Sequence, residues 1–164
     1  MTGVQTCALP ISGLASERSG LPLLRCYWYE ATVEGRRTEE HDTLADLPGV
    51  KLRLAKMRPG RREGVESEIH RDLTTLARNR AVTDAMVVSA EEDLAQVVAD
   101  VQDLGMRVTL LHIAVDGNGE IPRALRQECD DITEISDAFL PKRDRKSTRL
   151  NSSHRSLSRM PSSA

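Results

Sequence analysis

Hydrophobic spacing along the chain switches between two periods, and the switches predict its elements. Leu21 to Tyr29 (LPLLRCYWY) is a nearly unbroken apolar and aromatic run, which predicts a buried strand. Glu30 to His41 is polar, contains Gly35 and reads as a loop. Asp42 to Leu47 has the makings of one helical turn, stopped by Pro48-Gly49. Val50 to Met57 places Val50, Leu52 and Leu54 on one face and Lys51 and Arg53 on the other, a second strand. Arg58 to Glu63 is a charged loop. At Val65 the period lengthens. Val65, Ile69, Leu73, Leu76 and Ala77 form one stripe and predict a helix over 65–81. Asp84 to Ser89 (DAMVVS) predicts a short strand. Ala90 to Leu104 predicts a second amphipathic helix, capped by Gly105. Arg107 to Ile113 reads as a strand, Asp116 to Glu120 as a turn, and Ile121 to Cys129 as a short helix with Pro122 in its first turn. Ile132 to Ile135 is the last strand. Strands alternating with helices predict an α/β fold, with right-handed crossovers and a parallel sheet covered on both faces. Ligands of such sheets bind outside the carboxyl ends of the strands. No internal repeat or interdomain linker is visible.

Composition narrows this picture. The length of 164 residues allows one domain, and 39% hydrophobic with 29% charged residues suits a soluble globular chain. No apolar run approaches the roughly 20 residues of a membrane helix, and the opening lacks the basic start of a signal peptide. Cys7, Cys26 and Cys129 form no CxxC pair, which argues against a disulfide scaffold or zinc site and fits a reducing cytoplasm. The net charge of -2 hides a split. Residues 142–164 hold seven Lys/Arg and one acid, whereas residues 21–141 hold 15 basic and 23 acidic residues. So acidic a core does not bind nucleic acid by bulk electrostatics. To act on RNA or DNA it needs its carboxylates screened, and a divalent cation would do that.

The ends resemble foreign sequence. MTGVQTCALPI (1–11) resembles the conceptual translation of a common sequencing adapter, and DRKSTRLNSSH (144–154) that of the opposite adapter. This assigns 1–11 as non-native, 12–143 as a truncated natural domain and 144–164 as a disordered adapter-like tail. The alternative for the basic end is a genuine Ser/Arg-rich tail.

Three acidic features fall near the expected ligand edge: Glu63-Gly64-Val65-Glu66, Ser89-Ala90-Glu91-Glu92-Asp93 and Asp130-Asp131. Glu66 lies on the border of its helix stripe and should face the sheet. Carboxylates at helix starts also serve as ordinary caps. Taken together, they form an oxygen-donor set suited to Mg²⁺ or Mn²⁺, and such an ion activates water and screens a phosphate. Asp72 is displaced 120° from Glu66 around the helix and is expected to pair with an Arg. His70 reads as solvated, His112 as a core or edge histidine, and His41 as a loop residue without partner. Tyr27-Trp28-Tyr29 reads as core packing rather than a base-stacking platform, and Cys26 and Cys129 as buried small hydrophobes.

At LLRCYWYEA (23–31), LPGVKLRLAKM (47–57), EGVESEIHRDLTTLARNRA (63–81), DAMVVSAEEDL (84–94) and DLGMRVTLLHI (103–113) the chain resembles the NYN-domain proteins of the LabA-like group, within the PIN-like nuclease superfamily. The resemblance spans about 22–140. It implies a three-layer α/β/α PIN-like parallel sheet and metal-dependent hydrolysis of RNA phosphodiesters with Mg²⁺ or Mn²⁺. By position, Glu66 stands at the Asp of the family's K-G-V-D motif. Glu91 and Asp93 stand at the acids of S-G-D-x-D, with Ser89 at its Ser in support. Asp131, or less favourably Asp130, stands near an acid that precedes the last strand. The resemblance therefore implies Glu66, Glu91 and Asp93 as catalytic and metal-binding residues, with Asp131 as a further ligand, RNA as partner and a homodimer as an option. Four departures stand against it: Glu63 for Lys, Ala90 for Gly, and Glu66 and Glu91 for Asp. They leave open a catalytically degenerate module for RNA binding or protein interaction. The family's first strand, central between those matching 21–29 and 84–89 and ending in an Asp, is missing here. The expectation is an unstable, inactive fragment, unless the Cys7 to Ile11 run fills the gap.

Overall fold

Arg107–Ala114 decides the layering. Val108 and Leu110 are fully buried on one face of this strand, and Leu111 is buried on the other. A strand buried on both faces sits inside a sheet with helices on either side. The computed structural model describes residues 5–57, 64–114 and 119–136 and has this arrangement. Along the chain run α1 (Gln5–Ser19), β1 (Cys26–Val33), α2 (Glu39–Ala45), β2 (Val50–Met57) and α3 (Val65–Arg78). Then follow β3 (Asp84–Val87), α4 (Leu94–Asp103), β4 (Arg107–Ala114), α5 (Arg123–Glu128) and β5 (Asp131–Ser136).

The strands make two parallel sheets. In one, β1 pairs with β2, Cys26 opposite Val50 and Val33 opposite Met57. In the other the order is β3-β4-β5, with Val87 opposite Leu110 and Leu110 opposite Ile132. Among the described residues no strand pairing joins the two. The fold is mixed α/β with parallel sheets, as expected, but among the described residues β1 and β3 each keep an unpaired edge.

The apolar stripes settle the helices. Leu73 and Ala77 of α3, Val98 and Val101 of α4 and Leu125 of α5 pack with Val108 and Leu110 on one face of the larger sheet. On the other face Leu14 of α1 packs with Leu111 and Ile135, flanked by Ile11 and Met86. At the start of α3, a Cβ on Gly64 would lie 3.2 Å from Ala55 Cβ, so glycine lets the helix begin hard against β2. The 14 residues of α3 then run back about 21 Å toward β3. β2 and β3 consequently point the same way, and their carboxyl ends share one rim.

Some expectations need correction. The first strand begins at Cys26, not Leu21, because its register is set by β2: the Cys26 N–H donates to Gly49 O at 2.7 Å, in the turn that opens β2. Leu21, Leu23 and Leu24 remain exposed. α4 starts at Leu94, not Ala90. The Ser89 hydroxyl accepts the Glu91 N–H at 3.1 Å, a local bond that competes with helix. α1 was not expected. It contains Pro10 and runs unbroken across the 11/12 boundary, so Cys7 to Ile11 is helical and does not fill the gap as a strand. The loops at 58–63 and 116–118, and the segment 144–164, lie outside the described residues. No helix among the described residues is long and apolar enough to cross a membrane.

Candidate active site

The unpaired edges of β1 and β3 border a cleft of 1120 Å³. α3 closes one of its faces with Ile69, Leu73 and Leu76, and α1 the other with Ile11 and Ala15. At the carboxyl-end mouth stand Glu66, Ser89 and Glu91. Arg18, Arg25, Arg80 and Arg107 line it too, and the last three precede or open β1, β3 and β4 at the opposite end.

Each acidic candidate has a definite place. Glu66 is the second residue of α3 and is half-buried, held at the mouth by the Gly64 contact described above. Glu91 is exposed on the turn after β3. The Ser89 hydroxyl fixes its backbone, and Leu94 N–H donates to Glu91 O at 3.3 Å to lead into α4. Asp93 occupies the N-cap position of α4, yet its φ of -61° and ψ of -20° are helical and its side chain makes no capping bond. It is exposed and does not line the cleft.

Asp131 also lines the cleft. It opens β5 opposite Thr109, which in turn lies opposite Met86. Ser89 is three residues beyond Met86, roughly 10 Å further along the strand direction. A residue that precedes a parallel strand necessarily stands at the amino end of the sheet, so Asp131 is away from the rim that carries Glu66 and Glu91. Its neighbour Asp130 is structural: Oδ2 accepts the Val108 N–H at 2.8 Å and Gln102 Nε2 at 3.0 Å. These bonds hold its carboxyl below the ordinary carboxylate range.

The donor set can be tested against a divalent ion. Among the described residues no group of three or more His, Cys, Asp or Glu converges in a way that would hold a metal. The expected trio of Glu66, Glu91 and Asp93 is thus not gathered, and two of them share the cleft. Two oxygen donors suit a hydrated Mg²⁺ or Mn²⁺ that keeps its waters and takes further ligands from a phosphate; they do not make a closed protein cage.

The remaining singled-out residues are absorbed by packing. Arg53 Nε donates to Asp72 Oδ2 at 2.8 Å and Nη2 to Oδ1 at 3.4 Å, and the Tyr29 hydroxyl donates to Oδ2 at 3.0 Å. Burial, with the charge of Asp72, pushes the Tyr29 hydroxyl far up from its ordinary value. Tyr27 and Tyr29 stack at 6.2 Å between centroids, and the Arg25 and Arg53 guanidinium carbons lie 5.8 and 5.7 Å from the Tyr27 ring. Cys26 and Cys129 are half-buried, with thiols pushed up by burial. His70 pairs with Asp100 at 3.1 Å between α3 and α4, and His112 is buried in β4. His41 is not the partnerless loop residue that the sequence suggests. It is buried in α2, where its Nδ1 accepts the Thr38 N–H at 3.0 Å and its Nε2 lies 3.3 Å from Glu30. The signal was Thr38 three residues before it, a capping box with His in place of Glu or Gln.

With this geometry in view, likeness to known proteins becomes informative. The NYN domain family matches residues 16–136, most of the chain and all five candidate residues. The chain belongs to the NYN-domain family. That family is nuclease-like and of the PIN-like kind. A relative from Sinorhizobium fredii, named only as the uncharacterized protein y4oD, is 38% identical over 96 residues, which is 58% of this chain. The NYN chain spans 44% of that relative's length in the match. A solved structure of a protein of unknown function from Vibrio parahaemolyticus has a TM-score of 0.53 at 19% identity. It covers 72% of each chain and shows the α/β fold alone.

Proposed function

We propose that this NYN domain hydrolyses RNA phosphodiester bonds with the help of Mg²⁺ or Mn²⁺ at the carboxyl-end mouth of the cleft. One observation carries the reading. Glu66 and Glu91, from the starts of two different segments, line a single cleft in a chain of a nuclease-like family. Glu66 and Glu91 would hold the ion, with water filling the rest of its shell. When bound, it would screen the phosphate and make a coordinated water more acidic. The chain's own contribution is placement. Gly64 sets the start of α3 and so the position of Glu66, and the Ser89 turn sets Glu91. Asp93 adds charge on the same turn without facing the cleft, and Asp131 serves no role at the mouth. The reaction consumes one water and leaves a phosphate and a hydroxyl end. The family match beginning at residue 16 supports 12–143 as the NYN unit, with 1–11 outside it.

The test is cleavage of single-stranded RNA with Mn²⁺ by a full-length version of the domain that carries the family's first strand. The expected result is turnover that stops with chelator and falls about 100-fold in Glu66→Gln and in Glu91→Gln, with a smaller loss in Asp93→Asn. Turnover equal to wild type in Glu91→Gln contradicts the assignment. The absence of a three-carboxylate cluster among the described residues favours a second reading, a degenerate NYN module that binds RNA without cutting it. That reading predicts retained RNA and no product with either ion, and unchanged affinity in Glu91→Gln.

A further inference from the structure

The aromatic triplet of β1 is divided between two faces. Strand alternation turns Trp28 to one side of the smaller sheet and Tyr27 and Tyr29 to the side of α3, where the Tyr29 hydroxyl meets Asp72. Tyr29 is spent on that bond. Tyr27 is half-buried and holds two guanidinium groups near its ring, those of Arg25 and Arg53. Lys51 lies opposite Tyr27 in the β1–β2 register, two residues before Arg53 and therefore on the same face.

These cations differ in what they have left to offer. Arg53 is neutralised by its two bonds to Asp72. Arg25 and Lys51 are exposed, and among the described residues neither forms an ion pair. Stacking on Tyr27 restricts the Arg25 side chain before any ligand arrives, which lowers the entropic cost of using it. In a stretch with 23 acidic and 15 basic residues, two uncompensated cations beside an aromatic ring mark a place where a polyanion is attracted rather than repelled. Lys51 stands on β2, one strand removed from the position between β1 and β3 that the family's first strand takes. It lies four residues before Ala55, about 13 Å along the strand, and Ala55 packs against Gly64, two residues from Glu66.

We propose that Arg25 and Lys51 form a phosphate-contact site for single-stranded RNA, separate from the carboxyl-end mouth, with Tyr27 as the positioning residue of Arg25. The site rests on RNA as the ligand of the proposed function and needs neither metal nor cleavage. Each contact displaces counterions from the RNA, so the site supplies a salt-dependent, sequence-independent part of the affinity.

The probe is a short fluorescein-labelled single-stranded RNA of mixed sequence. Its binding to the full-length version of the domain is read by anisotropy in EDTA, over a salt series from about 50 to 200 mM. Arg25→Gln and Lys51→Gln are each expected to weaken binding about fivefold at the low-salt end and to lower the log–log salt slope by about 0.7. Tyr27→Leu should reproduce part of the Arg25→Gln loss, and Tyr27→Phe, which keeps the ring, should bind as wild type. Arg126→Gln, an equal charge change at an exposed position on α5, should leave affinity and slope unchanged. Absence of binding in EDTA overturns the proposal. So does an unchanged slope in Arg25→Gln and Lys51→Gln, and so does an equal loss in Arg126→Gln, which assigns the attraction to general charge. Cleavage that fails while this binding pattern holds sinks the catalytic reading alone; cleavage that persists with binding indifferent to Arg25 and Lys51 sinks this site alone.

Discussion

Asp72 and Glu66 stand about 120° apart around the same helix and have opposite fates. Asp72 is 8% exposed and holds Arg53 and Tyr29 together, so its carboxylate is committed to the junction of α3 with the smaller sheet. Breaking a buried ion pair leaves one charge stranded, while the partial exposure of Arg53 softens the loss. Asp72→Ala is expected to cost about 2 kcal/mol in urea unfolding, whereas Glu66→Gln stays within about 0.5 kcal/mol. That contrast separates a proposed site residue from a packing residue without any activity measurement. Asp130 provides a pH signature. Its carboxyl is held low by the Val108 N–H and then by Gln102. The bond stabilises the fold above the ordinary carboxylate pKa near about 4 and loses that effect as pH falls through the lowered folded value. Asp130 is exposed, so Asp130→Ala should cost no more than about 1 kcal/mol at pH 7. The difference from wild type should shrink toward pH 2 in the same unfolding assay. A gap that widens on acidification would contradict the bond.

Elements with one clear apolar stripe were legible in the sequence. The stripe from Val65 to Ala77 gave α3 to within its last turn, and the alternation from Val50 to Met57 gave β2 residue for residue. The misses have physical causes. β1 starts where Gly49 and β2 let it pair, information held in another part of the chain. α4 begins late because a serine hydroxyl satisfies the Glu91 N–H first. α1 has no amphipathic period to read and contains Pro10; it is placed by Leu14 packing on Leu111 and Ile135. Of the proposed site, Glu66 and Glu91 stand out in the sequence as carboxylates following strands, and both line the cleft. Asp131 lines the same cleft from the opening of β5, a position that depends on the pairing of β5 with β4. Amide exchange should report the same hierarchy. Val108 and Leu110 in the central strand β4 should exchange slowest, and Cys26–Tyr29 on the free edge of β1 markedly faster. Equal protection along β1 and β4 would mean that the edge is covered.

Taken across the molecule, the two parallel sheets, the helices over them and the charged ends of the cleft make one coherent device. The excess of acidic residues between 21 and 141 repels a polyanion, so on the proposed reading productive RNA contact is confined to a place where a cation offsets the carboxylates. Two carboxylates hold such a cation weakly until a phosphate joins them, and metal and RNA should therefore bind together rather than in turn. Thermal unfolding is expected to rise more with Mn²⁺ and a non-cleavable RNA than with the sum of each alone. Strict additivity would count against a shared site. The most direct test is paramagnetic broadening by Mn²⁺ in the presence of a phosphorothioate RNA. The account predicts selective loss of the amide signals of Val65–Ser67 and Ser89–Asp93 together, abolished in Glu91→Gln. Broadening that touches only one of these segments, or that persists in Glu91→Gln, would contradict it.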